Sequence, residues 1–298
     1  MQFIPLCSLS KKYVSAALKF IAEYEVMCVQ LAAQIKVSDK NIFAVLTDSF
    51  DSLKMCGILK LSTTVLHCLP FSLDKAAVSM QEDFVASFSS FLMQHFSEKQ
   101  RFPECVNGIA AGSTLIMKAF SRAGKNARQI NDYTLMCLDV KSFKMLSAYP
   151  LANGEKIVRC KKDIPAARRE QLLVLQENYE KEEVLPSCMA FNEDACRLRL
   201  LSALRTQYVL ALERGGQFVS KAATNAVGFK YAQIGGVFTI SEFRRNHYSF
   251  NTMYALLKKI CRMGKKPVLF VKNSNVAANA LYSALKFIRL CSYTILYY

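Results

Sequence analysis

Two stretches of this 298-residue chain carry residue types suited to chemistry. In the first, Arg244-Arg245-Asn246-His247-Tyr248-Ser249 follows an apolar run at 232–240 and opens an amphipathic stretch at 249–263. Backbone N–H groups at the start of a helix, with cationic side chains beside them, suit a phosphate. The plainer reading is solvated charge ahead of a helix. In the second, Asn275 leads into a helical run that contains Tyr282. A phenol, with an ordinary pKa of about 10, stays protonated at neutral pH and can donate to a developing anion. The plainer reading is a tyrosine on the packed face of that helix. A third stretch, Gly-Ile-Ala-Ala-Gly-Ser at 108–113, imitates a phosphate loop. It lacks the Lys-Ser/Thr ending of a P-loop and the glycine spacing of the dinucleotide fingerprint, so tight strand-to-helix packing is the expectation there.

Composition bounds the rest. The chain is 52% hydrophobic and 21% charged, enough for packed cores and too apolar for disorder. No apolar run approaches the ~18 residues that span a bilayer, and the N-terminal segment does not read as a signal peptide. Eleven cysteines, odd in number and without a CxxC pair, are expected to be reduced and mostly buried, as in a cytoplasmic protein. His67, His95 and His247 lie far apart, so no metal is expected. The net charge of +16 is uneven: residues 1–150 hold 16 Lys/Arg against 12 Asp/Glu, residues 151–298 hold 23 against 11. The basic second half implies an anionic partner.

These residues need elements to position them. The polar segment 151–163, after Pro150 and with Asn153-Gly154, is the candidate boundary between an N-terminal α+β domain, 1–150, and a second domain, 151–298. In the first half, helical spacing marks 10–37 and 84–96, the latter as core rather than an aromatic ligand box. Residues 42–46, 58–69 and 133–139 read as strands. In the second, Asp163-Ile164-Pro165 signals a helix start, with the helix running to about Glu183. A helix follows near 193–206. Glu213-Arg214-Gly215-Gly216 signals a hairpin between strands at 207–212 and 217–222. Residues 232–240, 268–271 and 288–298 read as strands, and 249–263 and 276–285 as helices.

Residues 233–249 and 275–287, in this order and setting, resemble the GNAT superfamily of acyl-CoA-dependent N-acyltransferases over 162–298. The family's pyrophosphate loop, Gln/Arg-x-x-Gly-x-Gly/Ala, corresponds to Arg244–Ser249. Its Asn-x-x-Ala-x-x-Leu-Tyr-x-x-x-Gly-Phe segment corresponds to Asn275, Ala278, Leu281, Tyr282, Lys286 and Phe287. Two family glycines are absent, replaced by His247 and Lys286. A side chain at 247 would crowd the pyrophosphate or strain the turn, unless the loop adjusts and the imidazole meets a phosphate. The resemblance implies an α+β fold with a mixed, mostly antiparallel central sheet flanked by helices. It is also compatible with a first half that is a smaller, degenerate GNAT-like domain; an unrelated α+β domain is the alternative.

The resemblance further implies N-acetyl transfer from acetyl-CoA, as co-substrate, to an amine on a small molecule or protein. Val237, Phe238 and Thr239 would meet the pantetheine and thioester, Arg244, Arg245, Asn246, His247, Tyr248 and Ser249 the pyrophosphate, and Asn275 the pantetheine arm, while Tyr282 would protonate the departing thiolate. A catalytically inactive CoA-binding or structural/regulatory protein is the alternative, because His247 and Lys286 replace family glycines and residues 233–239 contain no carboxylate to act as base. Glu213 and Glu242 are the nearest acidic residues. The acidic run Tyr179–Glu183 would either attract a cationic amine or form a solvated face. Lys258, Lys259, Arg262, Lys265 and Lys266 cluster without interleaved stacking aromatics, which argues against nucleic acid.

Overall fold

The computed structural model describes all residues except Phe50, Asp51, residues 97–100 and Cys188. The chain forms two compact units, Met1–Leu135 with Leu290–Tyr298, and Met136–Arg289. In chain order the elements are β1 (Gln2–Pro5), α1 (Lys11–Tyr24), α2 (Val29–Gln34), β2 (Ile42–Ser49), β3 (Ser52–Lys60), β4 (Thr64–Cys68), α3 (Val78–His95), β5 (Cys105–Ile109), α4 (Ala110–Arg122) and β6 (Gln129–Leu138). Then follow α5 (Val140–Phe143), β7 (Glu155–Cys160), α6 (Ala166–Tyr179), α7 (Glu193–Thr206), β8 (Val209–Arg214), β9 (Gln217–Val227), β10 (Tyr231–Thr239), α8 (Tyr248–Arg262), β11 (Lys266–Lys272), α9 (Val276–Ala284) and β12 (Phe287–Tyr297).

In the first unit the strands run in the order β1-β2-β3-β4-β5-β12, antiparallel except for the parallel pair β4·β5. Phe84, Phe88 and Leu92 of α3 pack with Phe120 of α4 and Val106 of β5 in one core, as the spacing at 84–96 predicts. Residues 58–69, expected as one strand, are the end of β3 and all of β4, folded back on each other with Ile58 opposite Cys68. The helical stretch at 10–37 is likewise two helices, separated by a tight turn at Glu25–Met27.

The Gly-containing stretch 108–113 bridges β5 and α4, and its glycines exist for packing. The His67 imidazole, fully buried, lies against both: a Cβ on Gly108 would come within 2.0 Å of Nε2, and one on Gly112 within 2.5 Å of Cε1. Nε2 shares a hydrogen bond of 3.0 Å with the Ser113 hydroxyl. Burial holds the His67 pKa down to about 3, so the ring is neutral at ordinary pH.

In the second unit the order is β11-β10-β9-β8-β7, antiparallel except for β10·β11. The β8–β9 hairpin turns at Gly215 and Gly216, with φ of 56° and 81°, the left-handed pair that such a tight turn demands. α6 starts after Pro165 with no side-chain cap, so Asp163 does not cap it. The polar segment 151–163 contains a strand, β7, which pairs with β8 from Glu155↔Arg214 to Cys160↔Val209. It ends the strand order, where Glu155, Lys156 and Arg159 guard an exposed edge, and those charges hid it. One core, including Ile234, Met253, Leu257 and Leu269, joins β10, β11 and α8; a second, including Leu172, Leu200, Ala211 and Phe238, joins α6 and α7 to β8–β10.

Gly108→Ala is expected to lower stability by about 1–3 kcal/mol through overpacking against His67. Thermal denaturation checks it, and adding His67→Ala should restore part of the loss, since the two sites share one contact.

Candidate functional site

The distinctive geometry of the second unit is where β10 and β11 part. They pair at Tyr231↔Lys266, Ala232↔Pro267 and Gln233↔Val268. Beyond that, 234–239 and 269–272 continue as strands without pairing to each other, which leaves a fork lined by backbone. Gln233 sits at its base, buried, with Nε2 lacking a partner. On its other edge β10 pairs with β9 up to Gly235↔Ala223 and resumes at Phe238↔Lys221. One extra residue on β10 makes a bulge, and Gly236 adopts φ 64° within it.

Lys221 lies beneath that bulge. Its Nζ donates to the Gly236 carbonyl and to Gln176 Oε1, each at 2.9 Å, and sits 4.8 Å from the centre of the Tyr179 ring. Burial pushes its pKa down to about 7, against the pull of nearby Glu180. Nothing in the sequence marks Lys221, because a lysine in a strand ordinarily faces water.

The loop after β10 leads to α8. Arg244 turns back: Nε donates to the Thr239 carbonyl at 3.0 Å, Nη2 pairs with Glu182 at 2.7 Å, and the guanidinium covers the Phe238 ring at 5.4 Å. Asn246 Nδ2 bonds the carbonyls of Phe243 and Arg244. Arg245 is exposed and left-handed, with φ 65°. His247, with φ 58°, stacks on Tyr149 at 3.7 Å between centroids and 13° between planes. Tyr149 is in turn fixed by two hydrogen bonds to Asn251. Tyr248 is buried and donates to Glu155 at 2.5 Å, so its side chain points away from the loop; Ser249 is half-buried. No side chain caps the N-terminus of α8, so its first-turn N–H groups face outward from the helix end without one.

α9 brings the second motif to the same region. Asn275 caps it, accepting from Ala278 N at 2.9 Å, and Nδ2 donates to Glu183 at 2.9 Å. Tyr282 is buried on α9, edge-on to Phe287. Burial raises its pKa well above the ordinary tyrosine value, and nearby Tyr179 and Glu183 add to the shift. Lys286 ends the helix at φ 70°.

The acidic run is therefore engaged rather than solvated. It forms a wide turn, Glu180–Val184, in which Glu180 pairs with Arg199, Glu182 with Arg244, and Glu183 with Asn275. Glu213 is buried and paired with Arg168 at 2.9 Å, which removes it as a free base, and Glu242 is exposed. In the basic cluster, Lys258 covers the ring of Tyr254, and Lys259 with Arg159 covers that of Tyr208. Among the described residues, no group of three or more His, Cys, Asp or Glu is placed to hold a metal, and no helix is long and apolar enough to cross a membrane.

A mostly antiparallel sheet flanked by helices, with a forked parallel pair leading into α8 and α9, defines the GNAT fold, and the chain has it. Residues 214–295 match the family model described as FR47-like protein. Among solved structures, a Drosophila protein is similar over 97% of both chains, with 14% identity and a TM-score of 0.61. A tandem GNAT protein from the clavulanic acid biosynthesis pathway is similar over 99% of this chain and 97% of that one, with 12% identity and a TM-score of 0.59. A GNAT-family acetyltransferase from Novosphingobium aromaticivorans is matched over 57% of this chain, with 14% identity and a TM-score of 0.40, and the chain spans 65% of that protein's length. No curated protein matches the sequence.

Lys286 and His247 hold the left-handed backbone in which an L-residue costs about 1–2 kcal/mol. After the extra chain entropy of glycine, Lys286→Gly is expected to stabilise the fold by about 0.5–1 kcal/mol. His247→Gly should gain less, because it also loses the stack on Tyr149, worth about 0.5–1.5 kcal/mol. Denaturant unfolding of both variants checks the contrast.

Proposed function

We propose that this protein is an N-acetyltransferase that moves an acetyl group from acetyl-CoA to an amine carried by a small molecule or a protein. The fork between β10 and β11 carries this reading. It offers the space between two strands that have stopped pairing with each other to an extended pantetheine arm, with the open N-terminus of α8 at one end for the pyrophosphate. Residues 237–239 would line the arm and the thioester, with Asn275 beside it, and the loop 244–249 would hold the phosphates chiefly through backbone N–H groups and Arg244.

In the reaction, the neutral amine nitrogen attacks the thioester carbon. A C–N bond forms, the C–S bond breaks, and the sulfur leaves with its electron pair. Tyr282 hands its proton to that sulfur and regains one from the nitrogen, so no proton is gained or lost overall. Its raised pKa keeps the hydroxyl protonated across the neutral and mildly alkaline range. With no carboxylate on β10, loss of the ammonium proton before attack falls to water, and positioning supplies much of the rate. The ten free thiols among the described residues suit a reducing compartment, and we place the protein in the cytoplasm.

Calorimetric titration with acetyl-CoA tests the reading first; no heat and no thermal shift at millimolar ligand would overturn it. Tyr282→Phe should then leave CoA affinity unchanged and lower amine-dependent CoA release by about 10²-fold or more.

The carboxylate of Glu182 already occupies Arg244, and a phosphate must displace it. An exposed pair of this kind is worth about 0.2–1 kcal/mol. Glu182→Gln is therefore expected to tighten CoA binding by up to about fivefold, and weaker binding in the same titration would show that Glu182 supports the loop instead.

A further inference from the structure

We propose that Lys221 is a positioning residue of this transfer: anchored on Gln176, its Nζ fixes the Gly236 carbonyl and so sets the β10 bulge that turns residues 237–239 toward the thioester. The proposal rests on the acyl-CoA reading above and adds to it a residue that neither motif contains.

The bulge is held from both sides at one residue. Lys221 takes the carbonyl of Gly236, and the hydroxyl of Tyr179 accepts from its N–H. Gly236 and Val237 have no register partners on β9, which is the bulge itself. Glycine is needed at 236 twice over: for φ 64°, and because a Cβ would come within 3.1 Å of Lys221 Nζ. The lysine, at 2% exposure, sits where an apolar side chain would cost far less to bury. A purely structural filler would not need three directed contacts: two carbonyl oxygens and the face of Tyr179. Those contacts match the three N–H donors of an ammonium.

The groups that face Lys221 are Tyr179 and Glu180, from α6 and the turn after it, and Cys196 from α7; Glu180 is itself bound by Arg199. β10 contributes no titratable side chain at 235–238. Burial lowers the lysine's pKa to about 7, so its charge changes near neutrality. Above that pH the amine keeps two donors and turns a lone pair toward the Tyr179 ring, which loosens the clamp. Stability moves the other way. The unfolded chain binds the proton more tightly, so between about pH 7 and 10 deprotonation of Lys221 makes the fold more stable.

The test is the infrared stretch of acetyl-CoA labelled with 13C at its carbonyl, bound to the full chain. Bound to the wild-type chain, the label should absorb at lower frequency than free in solution. In Lys221→Met, CoA affinity should stay within about threefold while at least half of that shift is lost. From pH 6 to pH 9 the wild-type shift should shrink while Tm gains relative to Lys221→Met; the variant's shift should not vary with pH. A full shift in Lys221→Met, or a shift that disappears only in parallel with CoA affinity, overturns the proposal while leaving the acyl-CoA reading intact. Failure of the wild-type chain to bind CoA overturns both. If Lys221→Met does not fold, Gln176→Leu, which keeps the lysine and removes its anchor, is held to the same loss of at least half the shift at a CoA affinity within about threefold.

Discussion

Two parallel strands that stop pairing while both run on leave N–H and C=O groups along facing edges, and inside a protein those groups must be met by something. This constraint appears in both units. β4 and β5 pair at Thr64↔Cys105, Val65↔Val106 and Leu66↔Asn107, as β10 and β11 pair at three positions before their fork. The first residue past the fork is His67 in one unit and Ile234 in the other. In the first unit the imidazole fills the space, seated on Gly108 and Gly112 and bonded to Ser113. In the second, Ile234 turns into the core and two glycines follow, the second in a bulge. One fork is filled by its own side chain, whereas at the other the first side chain packs into the core. That contrast is the physical reason for placing the acyl-CoA reading in the second unit alone.

The turn Glu180–Val184 ties the second unit's parts to one another. Its three glutamates reach α7, the loop ahead of α8, and the cap of α9. Glu180, buried and bound by Arg199, is a structural anchor, and its charge also bears on Lys221. Glu182 and Glu183 engage residues that the acyl-CoA reading assigns to the ligand. The contacts differ in kind. Asn275 uses its oxygen to cap α9 and only its amide N–H₂ on Glu183, so its orientation is set from within the helix. Arg244 is half-exposed, and its bond to Thr239 persists whichever anion it meets.

Much of the second unit was legible from local rules. Helix α7 begins and ends where spacing and polarity put it, and the Gly-Gly turn marked its hairpin because a two-residue loop needs two positive φ values. Asn275 and Tyr282 were picked out by their resemblance to a family segment rather than by a local rule; in the structure the first caps α9 and the second is buried on it. The strand β7 was hidden by charges that suit an exposed edge. Lys221 was hidden for a different reason: its meaning lies in Gln176, Tyr179 and Gly236, contacts that only the tertiary fold creates. The same holds for Gly108 and Gly112, whose small size is explained by a histidine on another strand.

The two departures from the family's glycines turn out to preserve backbone shape. His247 and Lys286 both adopt the left-handed conformation that glycine would take freely. The loop ahead of α8 thus keeps its course, and the strain is met locally. At 247 part of it is offset by the stack on Tyr149, which also holds the imidazole flat against that ring. Crowding by His247 is therefore a weaker obstacle to a pyrophosphate than the residue type suggests. The stronger competitor is Glu182, a single carboxylate on Arg244. A pyrophosphate brings more negative charge, and it would gain the α8 N-terminus as well as the guanidinium, whereas Glu182 reaches only the latter. Coulomb attraction to that pair of sites favours the phosphate, and the carboxylate it displaces is left beside the fork, free to meet a cation.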